Sequence, residues 1–256
     1  MINKISGQIQ HYAWGGYQYI PQLVGAPAND NQPAAEYWLG AHQKAPSKLV
    51  PSDADTTLNQ IIEQNPALYL GQETASKFGR LPYLFKVLDV HDMLSIQVHP
   101  SKQEAEIGYA KENQAGIPTD ATNRNYKDDN HKPEMMVALS DFYLLHGFKA
   151  EDKLIQQLQR IKEFSALLPI FGSEGYKGLY KEVMTLPQEK VNQILRPLLE
   201  HIIPLYKADQ LSKTDPAFWA SRAVASGMTT LEDIDRGIFS IYFFNLLHLK
   251  TGEGIF

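Results

Sequence analysis

At about Ala150 the hydrophobic period of this chain changes, and that change limits the possible architectures more than any other feature. Before it, Gly15-Gly16, Pro21, Pro27, Pro33, Pro46 and Pro51 punctuate the sequence too closely for a long helix to mature. The stretch 1–149 therefore reads as β-rich, with short strands separated by turns. One short helix is expected over Thr57 to Leu70, where Leu58, Ile61, Ile62 and Leu68 recur at near-helical spacing and Pro66 limits the run. Leu84 to Val90 and Leu94 to Val98 read as two strands joined around His91-Asp92.

After Ala150, Leu154, Leu158, Ile161 and Phe164 recur every three or four residues, and Glu151 and Asp152 load the first turn with negative charge, so a helix is expected. A second helix is expected between Pro187 and Tyr206, kinked at Pro197. A third is expected from the N-cap Asp215 with Pro216 at the first helical position, stopping near Gly227. Ile238 to Leu249 returns to strand-like composition, with Phe239, Tyr242, Phe243 and Phe244 expected in a β core. Thr251 to Gly254 then reads as a turn and Ile255-Phe256 as the beginning of another strand. The pattern is an α+β chain: residues 1–149, a helical domain over 150–230, and a return to strands over 231–256.

A length of 256 residues is ample for a buried core, and 43% hydrophobic with 21% charged residues is ordinary globular usage. A formal charge of -5 supplies no basic field for nucleic acid, so an anionic ligand would have to meet local cations. With no cysteine there is neither a disulfide nor a thiolate metal site, which leaves imidazole, carboxylate and amide ligands and fits a reducing cytoplasm. Met1 to Gly25 lacks a basic region followed by an apolar one, so a mature start without a leader is expected. No apolar run reaches the roughly 20 residues of a membrane span.

Two segments could carry chemistry. In Ser95-Ile96-Gln97-Val98-His99-Pro100, strand alternation would put Ser95, Gln97 and His99 on one face. That arrangement suits a metal, and it equally suits a polar sheet face with none. In Tyr126-Lys127-Asp128-Asp129-Asn130-His131-Lys132-Pro133-Glu134 a polar loop runs into the apolar stretch Met135 to Leu139, an expected strand. A carboxylate at such a mouth is costly unless paired, so a metal or Lys132 would account for Glu134. An exposed turn of solvated charges is the alternative. Lys86 interrupts the apolar run Leu84 to Leu88 and either meets an anion or extends to the sheet edge.

The pattern Tyr126-x-Asp128-x-Asn130-His131-Lys132-Pro133-Glu134 resembles a signature of the type I phosphomannose isomerases. Ala35 to His42, Leu81 to Leu88 and Leu94 to Pro100 resemble further pieces of that family in the same order. The resemblance implies a cupin-type β-barrel, or jelly roll, with an inserted all-helical domain, the barrel incomplete at the C-terminus. It implies a zinc-dependent aldose–ketose isomerase, in a complete form monomeric, that interconverts mannose 6-phosphate and fructose 6-phosphate through an enediol. One zinc per chain would be held by Gln97, His99 and Glu134. A fourth ligand, from a His-Ala-Tyr motif, and an essential arginine belong to family segments expected beyond Phe256.

Within that resemblance, His131 is nominated as the acid/base for ring opening, because an imidazole titrates near neutral pH, and Lys132 as the cation that stabilises an enediolate. An imidazole that only holds Asp128 or Asp129 is the alternative for His131. Lys86 and Ser95 are candidates for holding a small phosphosugar. A non-catalytic cupin-like protein that binds metal or sugar phosphate is the competing reading. The remaining histidines, His248 included, show no ligand spacing.

Overall fold

The computed structural model describes residues 2–29, 31–50 and 56–256, and the chain divides into two compact units, Met1–Leu94 and Ser95–Phe256. Of the sequence-based readings, the start at Met1 and the turn at Pro51 lie outside the described residues.

The first unit is mixed. Its elements are β1 (Lys4–Ser6), β2 (Gln8–Gln10), α1 (Tyr19–Val24), β3 (Glu36–Leu39), β4 (Lys48–Val50), α2 (Leu58–Gln64), α3 (Pro66–Leu70), α4 (Gln72–Phe78) and β5 (Phe85–Leu88). Strands β2, β3 and β5 form a three-stranded antiparallel sheet, and β1 pairs with β4. The helix expected over 57–70 exists as two: Asn65 ends α2 and caps α3, its side chain accepting from Leu68 N, with Pro66 at the first helical position. Gly15 lies against β3's approach so tightly that a Cβ there would sit 2.5 Å from Ala35 Cα. The Gly-Gly pair thus serves a close backbone approach as well as a turn.

The second unit contains α5 (Lys102–Gln114), β6 (Met136–Val137), β7 (Phe142–Phe148), α6 (Glu151–Arg160), a 3-10 turn (Lys162–Leu167), α7 (Leu168–Thr185), α8 (Gln188–Lys207), α9 (Pro216–Ala225), α10 (Gly237–Phe243), β8 (Phe244–Leu249) and β9 (Gly254–Ile255). The helices expected at 187–206 and 215–227 are present as α8 and α9, while the one expected through Phe164 is α6 only as far as Arg160, where Ile161 turns extended and Phe164 falls in the 3-10 turn. Helix α8 continues through Pro197 and Pro204, and buries Val191, Leu195, Leu198, Leu199 and Ile202 along one stripe. Asp215 caps α9, accepting from Ala217 N at 2.9 Å.

Three expectations are corrected here. The segment 237–243 is a helix, α10, and only Phe244–Leu249 is a strand. All six residues Ile238 to Phe243 are buried, so the run carries no amphipathic period, and composition alone suggested a strand. Its aromatic rings pack in a helical core instead: Phe164 meets Phe239, Tyr242 and Phe243 at 5.3–5.8 Å. Residues 94–98 are irregular and, among the described residues, join no ladder, so the expected strand is absent there. Alternation creates a strand only where a partner offers backbone groups. Finally, a β-rich 1–149 had no place for α5; only Ala105 and Gly108 of that helix are buried, which leaves it without an apolar stripe to read.

The chain is thus α+β, with sheets of two and three strands and, among the described residues, no closed barrel. The turn and strand expected at the C-terminal end appear as β9, which pairs with β6 in the register Met136↔Ile255 and Val137↔Gly254. No helix among the described residues is long and apolar enough to cross a membrane.

Candidate metal centre

Residues 95–100 lead directly into α5. Ser101 caps that helix with its side chain accepting from Glu104 N, while Glu104 returns a carboxylate oxygen to Ser101 N at 2.9 Å. Those contacts hold the Glu104 carboxyl below the usual range. After α5 the chain returns through 117–134 into β6. The outcome is that His99, before α5, and Glu134, after the loop, lie together: His99 Nε2 is 3.8 Å from Glu134 Oε2. Both are open to solvent, the Glu134 side chain at 62%.

The loop between them is built by short-range hydrogen bonds. Asp128 Oδ1 accepts from Asn130 N at 2.9 Å, an Asx turn. Lys132 Nζ lies 3.6 Å from Asp128 Oδ2, so this lysine answers Asp128 and not Glu134. His131 and Lys132 are exposed, as are Ser95 and Gln97. The structure therefore joins His99 to Glu134 and Lys132 to Asp128, and records no contact of Gln97, Ser95 or His131 with these groups. Among the described residues no group of three His, Asp or Glu side chains is placed to hold an ion.

The pair nevertheless suits a small divalent cation. Two donors bound at about 2.0–2.2 Å in tetrahedral geometry stand roughly 3.4 Å apart. The observed 3.8 Å is close to that edge, and one neutral imidazole with one carboxylate is an appropriate donor set.

Lys86 belongs to the first unit. In β5 it stands opposite Trp38, with Nζ 4.9 Å from the Trp38 ring centroid and 3.3 Å from Glu36 Oε2. Glu36 is 7% exposed and also accepts from Trp38 Nε1. The anionic partner expected for this lysine is therefore Glu36, while the ammonium keeps partial access to solvent. In the same unit Gly16, Tyr17, Gln18, Tyr19, Asp89 and His91 line an open cleft. Burial raises the Asp89 carboxyl above its usual value, against the opposing effects of the Tyr19 backbone and the His91 charge.

Sequence reasoning missed the support of the loop. Arg124, with a side chain wholly buried, donates from Nε to Tyr126 O at 2.6 Å and from Nη2 to Asn113 Oδ1 at 2.8 Å, and lies 3.0 Å from Glu112 Oε2. Glu112 in turn accepts from Asn125 N at 3.0 Å and Tyr126 N at 2.7 Å. Desolvation pushes the Glu112 carboxyl up, but the two N–H groups and the Arg124 charge outweigh it and hold the group below its usual value. The one signal available in the sequence was the Ser101-x-x-Glu104 capping box, which marks α5.

Comparison with known proteins identifies the family. Residues 2–151 match the family described as phosphomannose isomerase type I, catalytic domain. The mannose-6-phosphate isomerase of Salmonella typhimurium is 35% identical over 260 residues, covering all of this chain and 63% of that protein. The human mannose-6-phosphate isomerase is 32% identical over 279 residues, covering all of this chain and 62% of that protein. The crystal structure of the Salmonella typhimurium enzyme bound to fructose 6-phosphate and zinc superposes with a TM-score of 0.83 at 34% identity, over 99% of this chain and 62% of that one. The class is that of the phosphomannose isomerase catalytic domains. This chain belongs to the type I phosphomannose isomerase family, and it spans somewhat less than two thirds of the length of these relatives.

Proposed function

We propose that the chain serves a zinc-dependent aldose–ketose isomerase that interconverts mannose 6-phosphate and fructose 6-phosphate, with one zinc per chain. The observation that carries this reading is the approach of His99 Nε2 to Glu134 Oε2 at 3.8 Å, made by two segments separated by a helix and a loop. Family membership and a relative described with zinc and fructose 6-phosphate supply the rest. Gln97, His99 and Glu134 are the residues that would hold the zinc. When bound, zinc supplies Lewis-acid polarisation of a sugar oxygen and no redox chemistry.

The chain's own groups would do the remaining work. His131, at the turn before Glu134, would pass the proton that opens the hexose ring. Lys132 would exchange its Asp128 contact for the enediolate that forms as a proton moves between C2 and C1. Ser95 would donate to the sugar, and Lys86 would leave Glu36 for the anionic part of the substrate. A cupin-type barrel, a helical domain over 150–230, a monomeric complete enzyme and a cytoplasmic setting complete the reading.

One observation favours a second reading, a non-catalytic cupin-like protein that binds metal or sugar phosphate. Glu134 and Lys132 are 62% and 53% exposed, and a site this open does not exclude water from an enediolate. A coupled assay of fructose 6-phosphate formation from mannose 6-phosphate separates the two, run with zinc, with chelator, and with Glu134→Gln. Chelator-sensitive turnover lost in the variant is expected for the isomerase; zinc binding without turnover would give the second reading.

A further inference from the structure

Helix α5 stands between the two segments that carry His99 and Glu134, and both of its ends hold the returning loop. At its first residue, Lys102 Nζ donates to Asp129 O at 2.8 Å and to Asn130 Oδ1 at 3.0 Å. In its last turn, Glu112 accepts the N–H groups of Asn125 and Tyr126. Asn113, in the same turn, accepts from Arg124. Midway, the Tyr126 ring lies on Gly108, so close that a Cβ on that glycine would be 2.4 Å from the ring.

The loop thus runs back along the helix from its C-terminal to its N-terminal end. Between Lys102 and Glu112 the helix rises about 15 Å. The stretch from Tyr126 to Asn130 can span at most about 14 Å. An Asx turn at Asp128 bends that stretch, and the long side chains of Lys102 and Glu112 close the remainder. His99 precedes Lys102 by three residues, and Glu134 follows Asn130 by four.

We propose that α5 is the positioning frame of the metal-binding pair: Lys102 at one end, and Glu112 with Arg124 at the other, hold residues 124–130 and so set the separation of His99 from Glu134. The proposal rests on the zinc reading only for its consequence, since the frame itself is geometry. Lys102 is the telling member. It is 43% exposed and Asp129 51%, and contacts so open add little to global stability. Its removal should therefore alter the pair's geometry without unfolding the chain. Glu112 is telling for another reason. Oε1 accepts from Asn125 N and Oε2 from Tyr126 N, with the Arg124 guanidinium 3.0 Å from Oε2 as an ion pair, so a glutamine amide opposes a donor whichever way it turns.

The test uses the full chain, whose lack of cysteine lets spin labels be attached at Val98→Cys and Met135→Cys alone, two exposed positions flanking the pair. Electron paramagnetic resonance gives the distribution of label distances, and calorimetry with zinc gives affinity. In Glu112→Gln and in Lys102→Gln the distribution is expected to broaden and zinc affinity to fall by about 10-fold or more, as for other groups that orient a ligand. The Lys102→Gln melt should stay at the parent temperature, and Lys102→Arg should restore the parent distribution. An unchanged distribution in both variants overturns the frame. A distribution that broadens in a chain whose calorimetry shows no zinc binding supports the frame and removes the zinc reading.

Discussion

Tyr242→Phe should stabilise this protein, and the size of the gain follows from the helical core. Tyr242 is 2% exposed in α10, its ring packs edge-on to Phe164 at 5.3 Å, and among the described residues its hydroxyl has no hydrogen-bond partner. A buried hydroxyl without a partner costs about 1–3 kcal/mol. Removing one oxygen leaves a void of roughly 10–15 Å³, which at about 24 cal/mol per Å³ returns only about 0.3 kcal/mol. The desolvation effect wins, and the variant should gain about 1 kcal/mol at pH 7. In a unit of this size that raises the melting temperature by about 2–4 °C.

The pH dependence sharpens the test. Burial first, and then the charges of Asp215 and Glu163, push the Tyr242 phenol well above its ordinary value, with Arg160 opposing. An acid whose folded pKa is raised binds its proton more tightly in the folded state. Its folding contribution is complete below the unfolded value near 10 and is lost as pH rises from there towards the folded value. The advantage of Tyr242→Phe should therefore grow by up to about 1.4 kcal/mol per pH unit above pH 10. Urea unfolding followed by helical circular dichroism, at pH 7 and between pH 10 and 11, measures both effects. A variant less stable than the parent at pH 7, with no added advantage in alkali, would refute the reasoning and show that the hydroxyl is satisfied.

Three other outcomes are expected. Arg124→Met should lower the opening free energy of residues 117–126 by about 1–3 kcal/mol, because it removes the buried donor to the Tyr126 and Ile117 carbonyls and to Asn113; native-state amide exchange reads it directly. Gly108→Ala gains at most about 1 kcal/mol of helix propensity and loses about 1–3 kcal/mol by forcing aside the ring of Tyr126, whose backbone is held on both sides. Its thermal melt should therefore fall, and a rise would show that the ring moves freely. Flanking the β6–β9 pair, Met135 and Phe256 are 74% and 83% exposed, with Val137 at 50% and Leu139 at 59%. Such a face offers on the order of 500 Å² of apolar surface, and two copies reach about 1,000 Å², the lower limit of a specific interface. Sedimentation should show concentration-dependent association that Met135→Lys weakens.

Much of the helical part was legible because its signals are local. The stripe of α8, the charged first turn of α6 and the Asp215-Pro216 start of α9 each lie within a few turns of chain, and each helix began where the pattern placed it, though α6 ends before Phe164. The motif around Asn130 to Glu134 was legible as a family signature, and strand β5 as an apolar run between turns. Buried helix α10 was misread because complete burial erases periodicity. Helix α5 was overlooked for the opposite reason, since so little of it is buried.

What the sequence by itself determined was therefore the helices with local signals, α6, α8 and α9, and the residue types on offer at the candidate metal centre. Only the tertiary structure decided which of them meet. Glu134 found His99 while Lys132 turned to Asp128, Lys86 found Glu36, and Arg124 closed on Glu112. Residues 94–98 kept the alternation of a strand without becoming one. A helix closes its hydrogen bonds between near neighbours and so declares itself locally. A strand, an ion pair or a ligand pair needs a partner that the chain must bring back from far along its length, and that return depends on the packing of everything between.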